Sequence, residues 1–195
     1  MNSRIHLAGI LLLANLFPSA KAANPATQPS VQDQIAQAVM ALPPELRADA
    51  TVVTYNPQTG ARTVLRQGTN SLECEPAHPP DGFINCYSDL VAPRRELEAK
   101  LRAQKKTDKE IDQEMAAETK AGKLKEPPFG IMYYRLATKP GVIKWLWVFS
   151  VPNATTQSTG ISTKSQRDAA LQGHGLPWLM LAGTPHAHIM IPINQ

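Results

Sequence analysis

The sequence predicts a single α+β domain over residues 31–195: a mainly antiparallel sheet of about six or seven strands with helices packed on one side. Three observations carry this reading. Most β-rich segments follow one another across short, turn-rich connections, which favours hairpins over repeated βαβ units. One helix-spaced apolar run precedes the first of them. One block of mixed charge in the middle of the chain has the spacing and caps of a helical pair.

Ahead of the domain, residues 1–23 read as a secretory signal, with Arg4 in a short basic region, an apolar run of 11 residues from Leu7 to Phe17, and Ala20-Lys21-Ala22 as the cleavage motif. A bilayer needs about 20 apolar residues, so the run predicts cleavage near Ala22/Ala23 and export to the periplasm or beyond, with no membrane anchor. Residues 24–30 are rich in Pro, Ser and Gln and are expected to be a disordered leader. Removing Arg4 and Lys21 lowers the formal charge from +4 to +2. The near-neutral remainder of about 172 residues is large enough for one core and gives no compositional support for nucleic-acid binding.

The first helix is expected over Val31 to Leu42, where Val31, Ile35, Val39 and Leu42 share a face, Ser30 is a suitable N-cap, and Pro43-Pro44 ends the run. Thr51 to Tyr55 and Arg62 to Arg66 then form a hairpin around Asn56-Pro57-Gln58-Thr59-Gly60, with Gly60 supplying a positive φ. Ser71 to Glu75 and Phe83 to Tyr87 are the next strands, and each holds one of the two cysteines, Cys74 and Cys86. In an exported chain such a pair is most simply a disulfide, closing a loop of about 13 residues and contributing roughly 3 kcal/mol. No C-x-x-C supports a redox role.

Residues 93–126 contain 10 of the 20 Lys/Arg and 8 of the 16 Asp/Glu. Pro93 opens one helix that runs to Gln104; Thr107 and Glu110 make a capping box for a second that ends before Gly122. The pair reads as a solvated face, or alternatively as a partner-binding arm. Phe129 to Ala137 and Val142 to Val151 flank the turn at Pro140-Gly141, and apolar residues on both faces of the second segment mark a central strand. Asn153 to Ala170 is expected to be a surface loop with a short helix near Lys164 to Leu171.

The last strand, read from His186 to Ile193, puts Ala187, Ile189, Ile191 and Ile193 on one face and His186, His188 and Met190 on the other. That second face is the candidate site. His186 and His188 with a third donor, His174, His78 or a carboxylate, are candidate ligands for a transition metal, copper or zinc. Trp178, His188 and Met190 are candidate walls of a ligand pocket, with Pro177-Trp178 folding back over His188. The alternative is that these side chains only fill a half-buried face. No nucleotide loop, nucleophile elbow or closed metal signature is present, and no catalytic residue is assigned; Ser158 and Ser162 lack the framing of a hydrolase.

Short motifs along the chain include Leu46-Arg47-Ala48, Gly68-Thr69-Asn70, Cys74 and Cys86-Tyr87, Pro177-Trp178-Leu179-Met180, and Gly183-Thr184-Pro185 with Ala187-His188-Ile189-Met190. Together they resemble an uncharacterised family of secreted bacterial proteins. In that pattern an acidic residue often precedes Gly-Thr-Pro, where this chain has Leu181-Ala182, and His186 lies outside it. The resemblance implies export and carries no activity. The leading expectation is an exported binding or accessory protein for a protein or small-molecule partner; the alternative is a metal-binding protein or metal-dependent enzyme centred on His188.

Overall fold

The computed structural model describes residues 29–77 and 82–193, so the signal and most of the leader, together with His78, lie outside the described residues. Helix α1 (Val31–Ala38) starts at Ser30, whose hydroxyl accepts from the Asp33 amide at 3.1 Å. A 3-10 turn over Val39–Ala41 follows before the prolines, so the expected helix is α only in its first two turns. Strands β1 (Thr51–Tyr55) and β2 (Arg62–Arg66) form the hairpin, and Asn56 Oδ1 accepts from the amides of Gln58 and Thr59 at 2.9 and 3.0 Å. Gly60 sits at φ +71°, and a Cβ there would lie 2.5 Å from the Cα of Lys100, so the turn can rest on a helix backbone only without a side chain.

Strands β3 (Leu72–Glu75) and β4 (Phe83–Ser88) set Cys74 directly opposite Cys86, and the two are bonded. Helices α2 (Ala92–Ala103) and α3 (Asp108–Lys120) make the charged pair. The capping box forms at Thr107, and its hydroxyl and amide hold the Glu110 carboxyl below the usual range. Strands β5 (Met132–Ala137) and β6 (Trp145–Ser150) follow, then short helices α4 (Thr156–Thr159) and α5 (Arg167–Leu171), and last β7 (Trp178–Met180) and β8 (His188–Pro192).

One eight-stranded sheet results, in the order β2-β1-β3-β4-β5-β6-β8-β7, antiparallel except between β1 and β3. The α+β class is as the sequence predicts, with two differences. Among the described residues there are eight strands, because β7 is three residues long and too short to show a period. The helices divide between the faces. Alternation along β4 sends Ile84 and Cys86 to one face and Asn85 and Tyr87 to the other. Helix α1 and its 3-10 turn cover the first, where Ala38, Ala41, Leu42, Cys74 and Cys86 are fully buried. Farther along that face, Ala154 and Ile161 of the Ser/Thr-rich loop pack on Val151, Leu179 and Ile189. Helix α2 lies over the second face, reached through Arg95.

Candidate functional site

The register builds the second face in rows. Tyr87 pairs with Tyr133, Tyr133 with Val148, Val148 with Met190 and Met190 with Trp178. A parallel row sets Asn85 beside Arg135, and another sets Ser150 beside His188 and His188 beside Met180. Since partners in register point the same way, five strands present polar and sulfur-bearing side chains to one space. That space is a cavity of about 640 Å³ with the sheet as floor and α2 as roof.

The roof contributes Arg94, Arg95, Glu98 and Arg102, which helical spacing places on one stripe. Most of these groups are fixed by a chain of ion pairs. Glu75 accepts from Arg95 Nε and Nη2, both at 3.0 Å, and also from the Tyr87 hydroxyl. Glu98 bridges Arg95 and Arg102, and Arg102 reaches Asp108 at 3.0 Å. Burial alone would depress the Arg95 guanidinium, but Glu75 and Glu98 more than offset it and its pKa lies well above the ordinary value. Tyr87 is pushed up by burial and then by the Glu75 charge, so its phenol stays protonated as a donor. Neighbouring Glu73, paired with Arg62, is also raised, because burial outweighs its partner. Arg94 differs: its Nη1 donates to the Thr119 hydroxyl at 3.2 Å and the Lys125 carbonyl at 3.1 Å, both neutral, with Glu126 farther away at 3.8 Å. On the floor, Arg135 Nε donates to Asn85 Oδ1 at 3.1 Å while its guanidinium lies 4.1 Å from the Phe83 ring centroid.

His188 is half-buried at the far wall, and its Nδ1 lies 2.8 Å from the carbonyl oxygen of His186. A carbonyl only accepts, so Nδ1 is the donor of this pair, and Nε2 is the ring nitrogen left for a ligand. His186 lines the same cavity but is not on the strand, as alternation had implied. Thr184 ties down the preceding turn by donating to the Leu181 carbonyl at 2.7 Å and accepting from the His186 amide at 3.2 Å, so β8 begins only at His188. His186 Nδ1 is 3.6 Å from Glu126 Oε2, a buried oxygen with no hydrogen-bond partner.

The candidate residues therefore come together only in part. His186, His188 and Met190 line one cavity, whereas His174 is exposed just past α5 with its Nε2 3.3 Å from Gln172 Oε1. Among the described residues no three His, Cys, Asp or Glu side chains are grouped to hold a metal ion. Trp178 does not fold back over His188. It is the register partner of Met190 and lines an adjoining cavity, while Met180 occupies the place beside His188.

The arginines and tyrosines of this face are the part that sequence reasoning missed, since Arg94 to Arg102 looked like a solvated stripe. The available signal was Tyr87, Tyr133 and Arg135, polar residues at alternate positions of strands whose other face is apolar. No known protein family, curated protein or solved structure matches the chain. Among the described residues, no helix is long and apolar enough to cross a membrane.

Proposed function

We propose that the protein is an exported binding protein that holds a small anionic ligand, of the carboxylate class, between α2 and the sheet. One observation carries the reading: four arginines, Arg94, Arg95, Arg102 and Arg135, and a single carboxylate, Glu98, line the cavity, on a helix and strands rather than on loops. Guanidinium groups recognise carboxylates through paired hydrogen bonds, and groups already fixed by neighbours lose little freedom on binding. Arg94, whose hydrogen bonds go to neutral acceptors and whose one carboxylate neighbour, Glu126, stays 3.8 Å away, is the group best placed to exchange partners for a ligand. The hydrophobic leader in the sequence and the Cys74–Cys86 bond support export. The family resemblance of the sequence agrees with it.

A second reading, a metal-binding protein or metal-dependent enzyme centred on His188, is favoured by the His186 carbonyl that engages Nδ1 and leaves Nε2 for a ligand, the arrangement seen behind many metal ligands. Titrating the purified protein with succinate while following the His188 ring by NMR separates the two. A saturable shift with succinate, and none with the uncharged diol of the same length, is the expected result. No shift up to roughly 10 mM, together with stoichiometric copper or zinc in the purified protein, would replace the first reading by the second.

A further inference from the structure

The cavity under α2 does not end at Met190. Arg135, Met180 and Met190 also line a second cavity of about 570 Å³ on the same face of the sheet. Its lining is mainly apolar, with Phe83, Val142, Ile143, Leu146 and Trp178, although Arg167 and two hydroxyl side chains also reach it. Its lip includes Met180 and Leu181, which remain 39% and 54% exposed. Such large side chains left in water beside an apolar cavity mark a place where apolar surface is to be covered.

We infer that the ligand is an amphipathic anion, with its charged head under α2 near Arg94 and His188 and its hydrocarbon tail along Leu146 and Trp178. This rests on the reading of the first cavity as an anion site. The register supports it, because Tyr133–Val148–Met190–Trp178 is one continuous row of partners from the polar end to the apolar end. Arg135 stands between the ends, its charge toward Asn85 and its flat face on Phe83, a side chain that suits the junction of head and tail. The occupant thus has a single carboxylate and a flexible chain. A polar ligand of the same charge would leave the second cavity uncovered.

The test compares dodecanoate, acetate and 1-dodecanol on the full mature chain, reading the His188 ring by NMR and Trp178 by fluorescence, with Trp178→Phe to assign the latter. Dodecanoate should perturb both residues and bind at least about 100-fold more tightly than acetate, since each methylene taken from water contributes roughly fourfold. Val142→Asp, in the turn after β5, should weaken dodecanoate by at least about tenfold while leaving acetate binding unchanged; Ile143→Asp serves if the first variant melts early. If acetate binds as tightly as dodecanoate at His188, the tail site is wrong while the anion site stands. If 1-dodecanol matches dodecanoate, the head does not use the arginines and the inference falls. If no probe moves either residue, the anion site falls with it.

Discussion

The two faces of the sheet are cut from the same strands, and β4 shows how differently they are used. Ile84 and Cys86 disappear under α1 into a region of small and aliphatic side chains, with Ala38, Ala41, Leu42, Cys74 and Cys86 at 0% exposure. One residue away, Asn85 and Tyr87 face a cavity and a chain of ion pairs. The first face is mainly apolar, covered by α1 at its cross-linked end. The second keeps polar groups in partial contact with water and holds them with charges that repay their desolvation only where the geometry is good. A buried salt bridge is weak evidence of stability, so Glu75–Arg95–Glu98–Arg102 is better understood as a device that fixes arginines in place. The cross-linked core and the proposed anion site therefore lie on opposite sides of one sheet, and perturbations should separate them.

The largest effect is expected from the closed face. Reducing the Cys74–Cys86 bond should cost roughly 3 kcal/mol and lower the melting midpoint by about 6 to 12 °C, because the 12-residue separation constrains the unfolded chain. Succinate binding by the folded fraction should not change. If binding disappears while the protein remains folded, the two faces are coupled and the division fails.

A smaller effect sharpens the comparison at high pH. All four tyrosines are raised above their ordinary value by burial; Tyr55, Tyr87 and Tyr133 belong to the polar face and Tyr134 to the other. Tyr55 is pushed up to about 12 from 10.0, by burial first and then by Glu75. The sign follows directly: the fold favours the neutral phenol, so this stability is fully present below pH 10 and is lost as pH rises through about 12. Each unit of elevation is worth at most about 1.4 kcal/mol, and clearly less at Tyr55 and Tyr134, which solvent partly screens. Phenolate absorbance of the native protein should show no tyrosine ionising at its ordinary value, and Tyr134→Phe should remove the contribution of the apolar face alone. A tyrosine titrating normally, assigned by substitution to Tyr87, would show that the ion-pair end of the cavity is open to water.

Much of the fold was legible because its signals are local. Ser30 caps its helix, Thr107 and Glu110 cap another within four residues, and Pro140-Gly141 turns the chain between two strands. Cys74 and Cys86 sit at matched positions of neighbouring strands. The site was legible only at one wall. Alternation exposed His188 and Met190 because it operates within a single strand, but Glu75 meets Arg95 across 20 residues and Asn85 meets Arg135 across 50. Nothing in one segment says which partner will lie beside it. The split of the helices was hidden for the same reason: α1 and α2 each show an apolar stripe, and a stripe does not say which face of the sheet it will meet. His186 was misplaced because Thr184, not alternation, governs the turn before β8.

The smallest effect on stability, and the most direct test of the division, belongs to His188→Ala, with melting midpoint and succinate affinity measured on the same preparation. The imidazole donates only to an exposed backbone carbonyl, that of His186, which water can satisfy when the ring is removed. The midpoint should stay within about 2 °C of the parent while succinate binding is lost. A loss of about 1 to 3 kcal/mol in stability with succinate binding intact would contradict it, and would make His188 a structural residue of a face that does not bind.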